Sequence, residues 1–150
     1  MPSHCAVLLL GCLVIWPGVA APAGDMAPDP ADLSVLSADA LDPGQFLWKN
    51  RLVVVFADTD ADPAFAEQMR FMADDPGALS ERNVLVVTDT APAPPSPLRA
   101  KLRPHGFSLV WIDKDGAVKL RKASPWTVRE ITHAIDKTPL RLQEVQDQGG

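Results

Sequence analysis

A chain of 150 residues and 16.1 kDa, 47% hydrophobic and 22% charged, has the make-up of one globular domain and excludes a fibrous or wholly disordered protein. With Lys+Arg 14 against Asp+Glu 19 the net charge is −5, which disfavours a sequence-independent grip on nucleic-acid phosphates.

The first apolar run, Cys5 to Trp16, is about 12 residues long, where a membrane span needs roughly 20. Pro17-Gly18 ends it, and the small residues of Val19-Ala20-Ala21-Pro22-Ala23 suit cleavage after Ala20 or Ala23. Residues 1–23 therefore read as a signal peptide, and the expected mature protein is periplasmic or secreted with no transmembrane segment after signal cleavage. Leu9-Leu10-Gly11-Cys12 looks like a lipoprotein box, but the apolar run continues past it, so cleavage is preferred to lipidation of Cys12. Both cysteines, Cys5 and Cys12, lie within the removed segment. The expected mature chain thus lacks thiols, and with them disulfide staples, Cys-ligated metals and thiolate mechanisms.

Residues 24–45 are rich in Ala, Asp and Pro and read as a mobile leader, in which Leu33, Val35, Leu36 and Leu41 allow a transient helix. The domain is expected over residues 46–146, with residues 147–150 as a tail. Leu52 to Ala57 is an unbroken apolar run of strand length, the pattern of a strand buried on both faces. Asp62-Pro63 then supplies a cap and a first-turn proline for a helix carrying Phe65, Met69 and Met72, which Pro76-Gly77 breaks. Asn83 to Thr88 is a second strand, parallel to the first by the handedness of β-α-β units. Four prolines between Ala91 and Pro97 stiffen a connection into a short basic segment, Leu98 to Arg103, of one or two helical turns. Phe107 to Ile112, the turn Asp113-Lys114-Asp115-Gly116 and Val118 to Ala123 form a hairpin. Ser124-Pro125 marks a last helix with Val128, Ile131 and Ile135 on its buried stripe, stopping near Lys137-Thr138-Pro139.

The order β-α-β-(α)-β-β-α is that of the thioredoxin core, a central mixed α/β sheet with helices on both faces. Three motifs sharpen the match: Trp48-Lys49-Asn50-Arg51 before the first strand, Ile112-Asp113-Lys114-Asp115-Gly116 with Lys119-Leu120-Arg121, and Asp136-Lys137-Thr138-Pro139-Leu140-Arg141 with Glu144. On these the chain, from about Phe46 to Glu144, resembles a thioredoxin-like family, the domain-of-unknown-function 4174 family. Its members are small exported bacterial proteins, with related domains in vertebrate extracellular matrix proteins of the equarin type. The resemblance implies a thioredoxin-like fold and an exported location, and it implies no established activity. Laid on the thioredoxin pattern, the redox Cys-x-x-Cys positions fall close to Asp60 and Pro63 and the usual cis-proline at Ser108, so the expected fold is kept without its redox site.

Asp58-Thr59-Asp60-Ala61-Asp62 is the sharpest cluster, three carboxylates between a strand end and a helix start, where open α/β sheets bind ligands. One reading makes Asp62 a helix cap and Asp58 and Asp60 solvated loop acids. A competing one is a magnesium-dependent phosphatase of the haloacid-dehalogenase type. In it Asp58 attacks phosphorus, Asp60 is the general acid, Thr88 holds the phosphoryl group, Lys101 balances charge, and Asp113 with Asp115 binds magnesium. Ala61 departs from that pattern, which has glycine there, and the hairpin turn accounts for Asp113 and Asp115 without metal. His105 and His133 have no second ligand at a metal-binding interval, so neither a metal nor a cofactor is expected.

Residues 1–90 carry 4 basic and 13 acidic groups and residues 91–150 carry 10 and 6, so Arg99, Lys101, Arg103, Lys119, Arg121 and Lys122 could form a basic face. The residues expected to meet a partner are Asp58, Asp60, Asp62, Lys49, Arg51 and Arg141. Arg141 is also the first choice for a clamp fixing the C-terminal tail to the domain. The sequence thus points to a binding or accessory module of the cell envelope whose partner is a protein or small ligand, with the phosphatase as alternative.

Overall fold

The computed structural model describes residues 33–39 and 41–150; the signal-peptide reading, Cys5 and Cys12 lie outside them. In chain order the elements are β1 (Val35–Ser37), a 3-10 turn (Pro43–Phe46), β2 (Arg51–Phe56), α1 (Pro63–Asp74), α2 (Pro76–Ser80), β3 (Val84–Asp89), α3 (Pro97–Leu102), β4 (Ser108–Ile112), β5 (Val118–Lys122), α4 (Val128–Asp136) and α5 (Pro139–Gln148).

The strands form one sheet in the order β1-β3-β2-β4-β5. Strand β2 is central: it runs parallel to β3, with Leu52 beside Leu85, and antiparallel to β4, with Leu52 beside Ile112. All six of its residues are buried, as the unbroken apolar run requires. Alternation then splits the core between the two faces. Val53, Val55, Val86, Leu109 and Trp111 pack on one side with Met72, Ile131 and Ile135 of α1 and α4. Leu52, Val54, Phe56, Val110 and Ile112 pack on the other with Leu98 and Leu102 of α3. Fully burying a side chain of this kind contributes roughly 1.5–3 kcal/mol. Helices therefore cover both faces, and the fold is the mixed α/β arrangement expected.

Four details depart from the sequence reading. Residues 35–37, expected in a mobile leader or transient helix, form a strand parallel to β3, with Val35 beside Val86 and the Val86 N–H donating to the Ser34 carbonyl at 3.1 Å. Ala38 and Leu41 behind it are buried. Pro76 does not merely end α1 but opens α2, because the Asp75 carboxylate accepts the Ala78 N–H at 3.0 Å. The cap of α4 is Thr127 rather than Ser124, in a capping box where Glu130 accepts the Thr127 N–H at 2.8 Å and Thr127 accepts the Glu130 N–H at 3.3 Å. Ahead of that cap, the buried amide of Gln68 accepts the Trp126 N–H and donates to the Trp126 carbonyl, both at 2.8 Å. Last, the chain after Pro139 is a ten-residue helix, α5.

Candidate functional site

Because β2 and β3 are parallel and β4 is antiparallel to them, the functional side chains collect at two opposite ends of the sheet. The six residues of β2 separate those ends by roughly 20 Å.

At the carboxyl end of β2, Asp58 and Asp60 are exposed, while Asp62 is spent on the helix: its Oδ1 accepts the N–H groups of Ala64 and Phe65 at 2.8 and 3.3 Å. Ser108 opens β4 beside Phe56, so the position that the thioredoxin pattern assigns to proline does lie at this corner. A buried polar network sits beneath. Asp89, at the end of β3, accepts the Ser96 hydroxyl at 2.6 Å and the Arg99 Nε–H at 2.9 Å. Arg99 also donates from Nη2 to the carbonyls of Ala57 and Asp89 at 2.7 and 2.9 Å and lies over the Phe56 ring. Asp58 approaches it only to 3.8 Å. Asp89 and Ser96 were not singled out in the sequence, and Arg99 was expected only as part of an exposed basic face. The Ser96-Pro97 pair, a cap residue before a first-turn proline, is the signal that could have marked this segment, and Ser96 caps α3.

At the amino end of β2, the three motifs come together. Arg51 is fully buried, with Nε 2.9 Å from Asp113 Oδ1 and Nη1 donating to Glu144 at 3.1 Å and to the Arg82 carbonyl at 2.9 Å. Lys114 reaches Glu144 at 2.8 Å and the Asn83 side chain at 2.9 Å. Arg82 grips Asp136 through two hydrogen bonds of 2.8 Å, and Arg141 lies 3.6 Å from Asp136 and 3.4 Å from Glu144. The hydrogen bond from Arg82 holds the Asp136 carboxyl below its usual value. Burial pushes the Glu144 carboxyl up, but hydrogen bonds from Lys114 and Arg51 outweigh it and leave the group below its usual value. This network docks α5, which buries no residue of its own.

The expected partner-binding residues therefore divide. Arg51 is walled off from solvent and Arg141 works inside the domain as a clamp, so neither offers a free charge. Lys49 is exposed, on the same turn as Trp48. Trp48 is 70% exposed at a φ of 62°, a costly conformation for a bulky side chain, with its N–H donating to the Lys114 carbonyl at 2.8 Å. Beside this turn a cleft of about 110 Å³ is lined chiefly by Phe46, Leu47, Leu52, Leu98 and Ile112, with Lys101 and Asp113 at its edge.

The phosphatase constellation does not assemble. Asp58 and Asp60 stand at the carboxyl end of β2, whereas Asp113 is paired with Arg51 at the other end and Lys101 lines the cleft there. Asp115 is held by Lys119 at 2.9 Å, and that hydrogen bond keeps its carboxyl below its usual value. The Thr88 hydroxyl faces the Leu36 carbonyl. Among the described residues, no group of three or more His, Cys, Asp or Glu side chains is placed to hold a metal. The expected basic face is also broken up: Arg99 is buried, Arg121 donates to the Leu102 carbonyl, Lys122 lies over the Trp126 ring, and Lys119 pairs with Asp115. No helix among the described residues is long and apolar enough to cross a membrane.

The sheet order and the helices on both faces define a thioredoxin-like protein. Among solved structures, the chain is similar to reduced 2-Cys peroxiredoxin of Plasmodium vivax at 15% identity and a TM-score of 0.53, over 71% of this chain and 85% of that one, a likeness of fold alone. The family described as a domain of unknown function (DUF4174) matches residues 42–144, and the chain belongs to that family. No curated protein matches it.

Proposed function

We propose that this protein is an exported module of the cell envelope, periplasmic or secreted, that acts by binding a protein or small ligand and not by thiol chemistry. The observation that carries the reading is Trp48, an indole 70% exposed, held in a strained backbone conformation on a turn whose neighbours are locked by buried ion pairs. The backbone that carries this exposed aromatic is already ordered, so association need not order the turn, and a large exposed indole is the residue type of an interface anchor. Leu47, 42% exposed, and Lys49 flank it and give the contact an apolar centre with a cationic edge. Support for the absence of thiol chemistry comes from the corner where the fold carries redox cysteines, which here holds Asp58, Asp60 and Asp62; both cysteines of the chain lie in the expected signal peptide.

A photo-crosslinking phenylalanine analogue at position 48, expressed in the native host, tests the reading. A discrete envelope-associated adduct is expected, one absent when the same analogue stands at Glu67 on the exposed side of α1. Equal labelling at both positions, or none, would sink it. Mass spectrometry of the same preparation checks export, because a mature protein that retains Cys5 or Cys12 contradicts that part.

A further inference from the structure

Strand β5, Val118–Lys122, is the last strand of the sheet. It pairs with β4 on one side, and among the described residues no strand pairs with its other side. The outward N–H and C=O groups of that edge have no backbone partner among the described residues either. Such a row of free main-chain groups is a template on which an extended segment can add as a further strand.

The two faces beside this edge differ in character. Arg121 stands across from Val110 and Leu120 across from Trp111, so Arg121 lies on the α3 side of the sheet and Leu120 on the α4 side. On the α3 side, at the end of the sheet away from the Trp48 turn, a groove of about 330 Å³ is lined by Arg103, His105, Ser108 and Arg121, and no carboxylate lines it. Arg103, His105 and Arg121 form no ion pair among the described residues. The Arg121 guanidinium is held instead by donating to the neutral Leu102 carbonyl at 2.8 Å, which orients it and leaves its charge uncompensated. On the α4 side the groove bordering Leu120 is lined by Trp126 and Ala134, with charges of both signs at its rim.

A strand laid on the edge therefore meets unbalanced cations on one face and apolar side chains on the other. Because side chains alternate along a strand, the complementary segment carries acidic residues at every second position and apolar residues between them. A second copy of β5 does not fit, since antiparallel pairing about Leu120 sets Lys119 opposite Arg121 twice, and like charges directly opposite are destabilising. The charges that reject self-pairing thus select an acidic strand. We propose that the free edge of β5 docks an extended acidic segment of a partner protein as a sixth strand, its carboxylates toward Arg103 and Arg121 and its apolar residues over Leu120 and Trp126.

Nuclear magnetic resonance titration of the isotope-labelled protein with an end-capped peptide of four Glu-Val repeats tests the assignment, with four Lys-Val repeats as the cationic counterpart. Saturable binding of the Glu-Val peptide alone is expected, and the outward-facing amides of β5 then exchange with solvent at least tenfold more slowly. Arg103→Glu and Arg121→Glu each weaken the peptide at least tenfold, whereas Lys49→Glu, at the Trp48 turn, leaves it within twofold. No binding, equal binding of both peptides, binding without protection of the β5 amides, a smaller loss in either arginine variant, or an equal loss in Lys49→Glu overturns the proposal. So does a free protein whose β5 edge amides are already protected by self-association. Arg103 and Arg121 are exposed, circular dichroism checks each variant, and the exchange measurement on the unaltered protein decides the question if a variant fails to fold.

Discussion

Arg51 and Glu144, 93 positions apart in the chain, meet through a hydrogen bond of 3.1 Å that ties the first residue of the central strand to the last helix. Neither residue makes sense alone. A guanidinium with no exposure has to be compensated, and Asp113 and Glu144 supply the charge from the hairpin and the tail. Helix α5, which buries none of its residues, in turn gains its place on the domain from Glu144 and Arg141 rather than from an apolar stripe.

Removing one member of that cluster leaves the others uncompensated. Arg51→Met should lower stability by about 3–5 kcal/mol, the range for stranding a buried partner, here Asp113. Glu144→Ala leaves Arg51 paired with Asp113 and should cost about 1.5–3 kcal/mol, the worth of hydrogen bonds to charged groups. Urea midpoints order the two variants. Equal midpoints, or a Glu144→Ala variant as stable as the parent, would show that α5 is held by something else.

The same carboxylates set the response to acid. Glu144 and Asp136 both titrate lower in the folded protein than in the unfolded chain. Their contribution to stability is therefore fully present above the ordinary carboxylate pKa values of about 4 and disappears as pH falls through the folded values. Between neutrality and acid the parent should lose more stability than an Asp136→Asn/Glu144→Gln variant, so their denaturation midpoints converge at low pH. Parallel curves across that range would contradict the assignment.

At the opposite end of the sheet, two aspartates should behave differently. Asp89 is buried and takes hydrogen bonds from Ser96 and Arg99, so Asp89→Ala should cost about 3–5 kcal/mol by leaving Arg99 buried without its counter-charge. Asp58, whose side chain is 65% exposed and 3.8 Å from Arg99, should change stability by less than about 0.5 kcal/mol when replaced by Asn. A large effect from Asp58→Asn, or turnover of a phosphate ester with magnesium that this change abolishes, would return weight to the acidic loop.

The sheet was legible because β2 to β5 carry apolar runs or alternation bounded by capping residues, local signals that survive in a single sequence. What escaped was held by long-range contacts. Strand β1 is only three residues long, and its order comes from the backbone ladder to β3, which composition does not reveal. Helix α5 has no buried stripe to read. At the site, the motifs containing Arg51, Asp113 and Glu144 were recognised, but their burial could not be, because a charged residue in a motif suggests an exposed contact until the fold shows its partners. Arg99 illustrates the same limit in reverse, a basic residue in a basic segment that turns out to face inward onto Asp89.

The hairpin turn gives the last prediction. Gly116 has a φ of +79°, and a Cβ built on it would stand 2.8 Å from the Leu47 Cδ2 atom. Two costs are therefore combined in Gly116→Ala, the left-handed backbone and the approach of Leu47, and they can be separated. Leu47 is 42% exposed and its methyl is the tip of a flexible side chain, so it can swing away, whereas the backbone penalty of about 1–2 kcal/mol has no such escape. Gly116→Ala should thus lower stability by about that amount. Adding Leu47→Ala should restore less than about 0.5 kcal/mol of it after the cost of Leu47→Ala alone is subtracted. Full recovery in the double variant would mean that contact with Leu47, rather than the positive φ, is what demands glycine at this position.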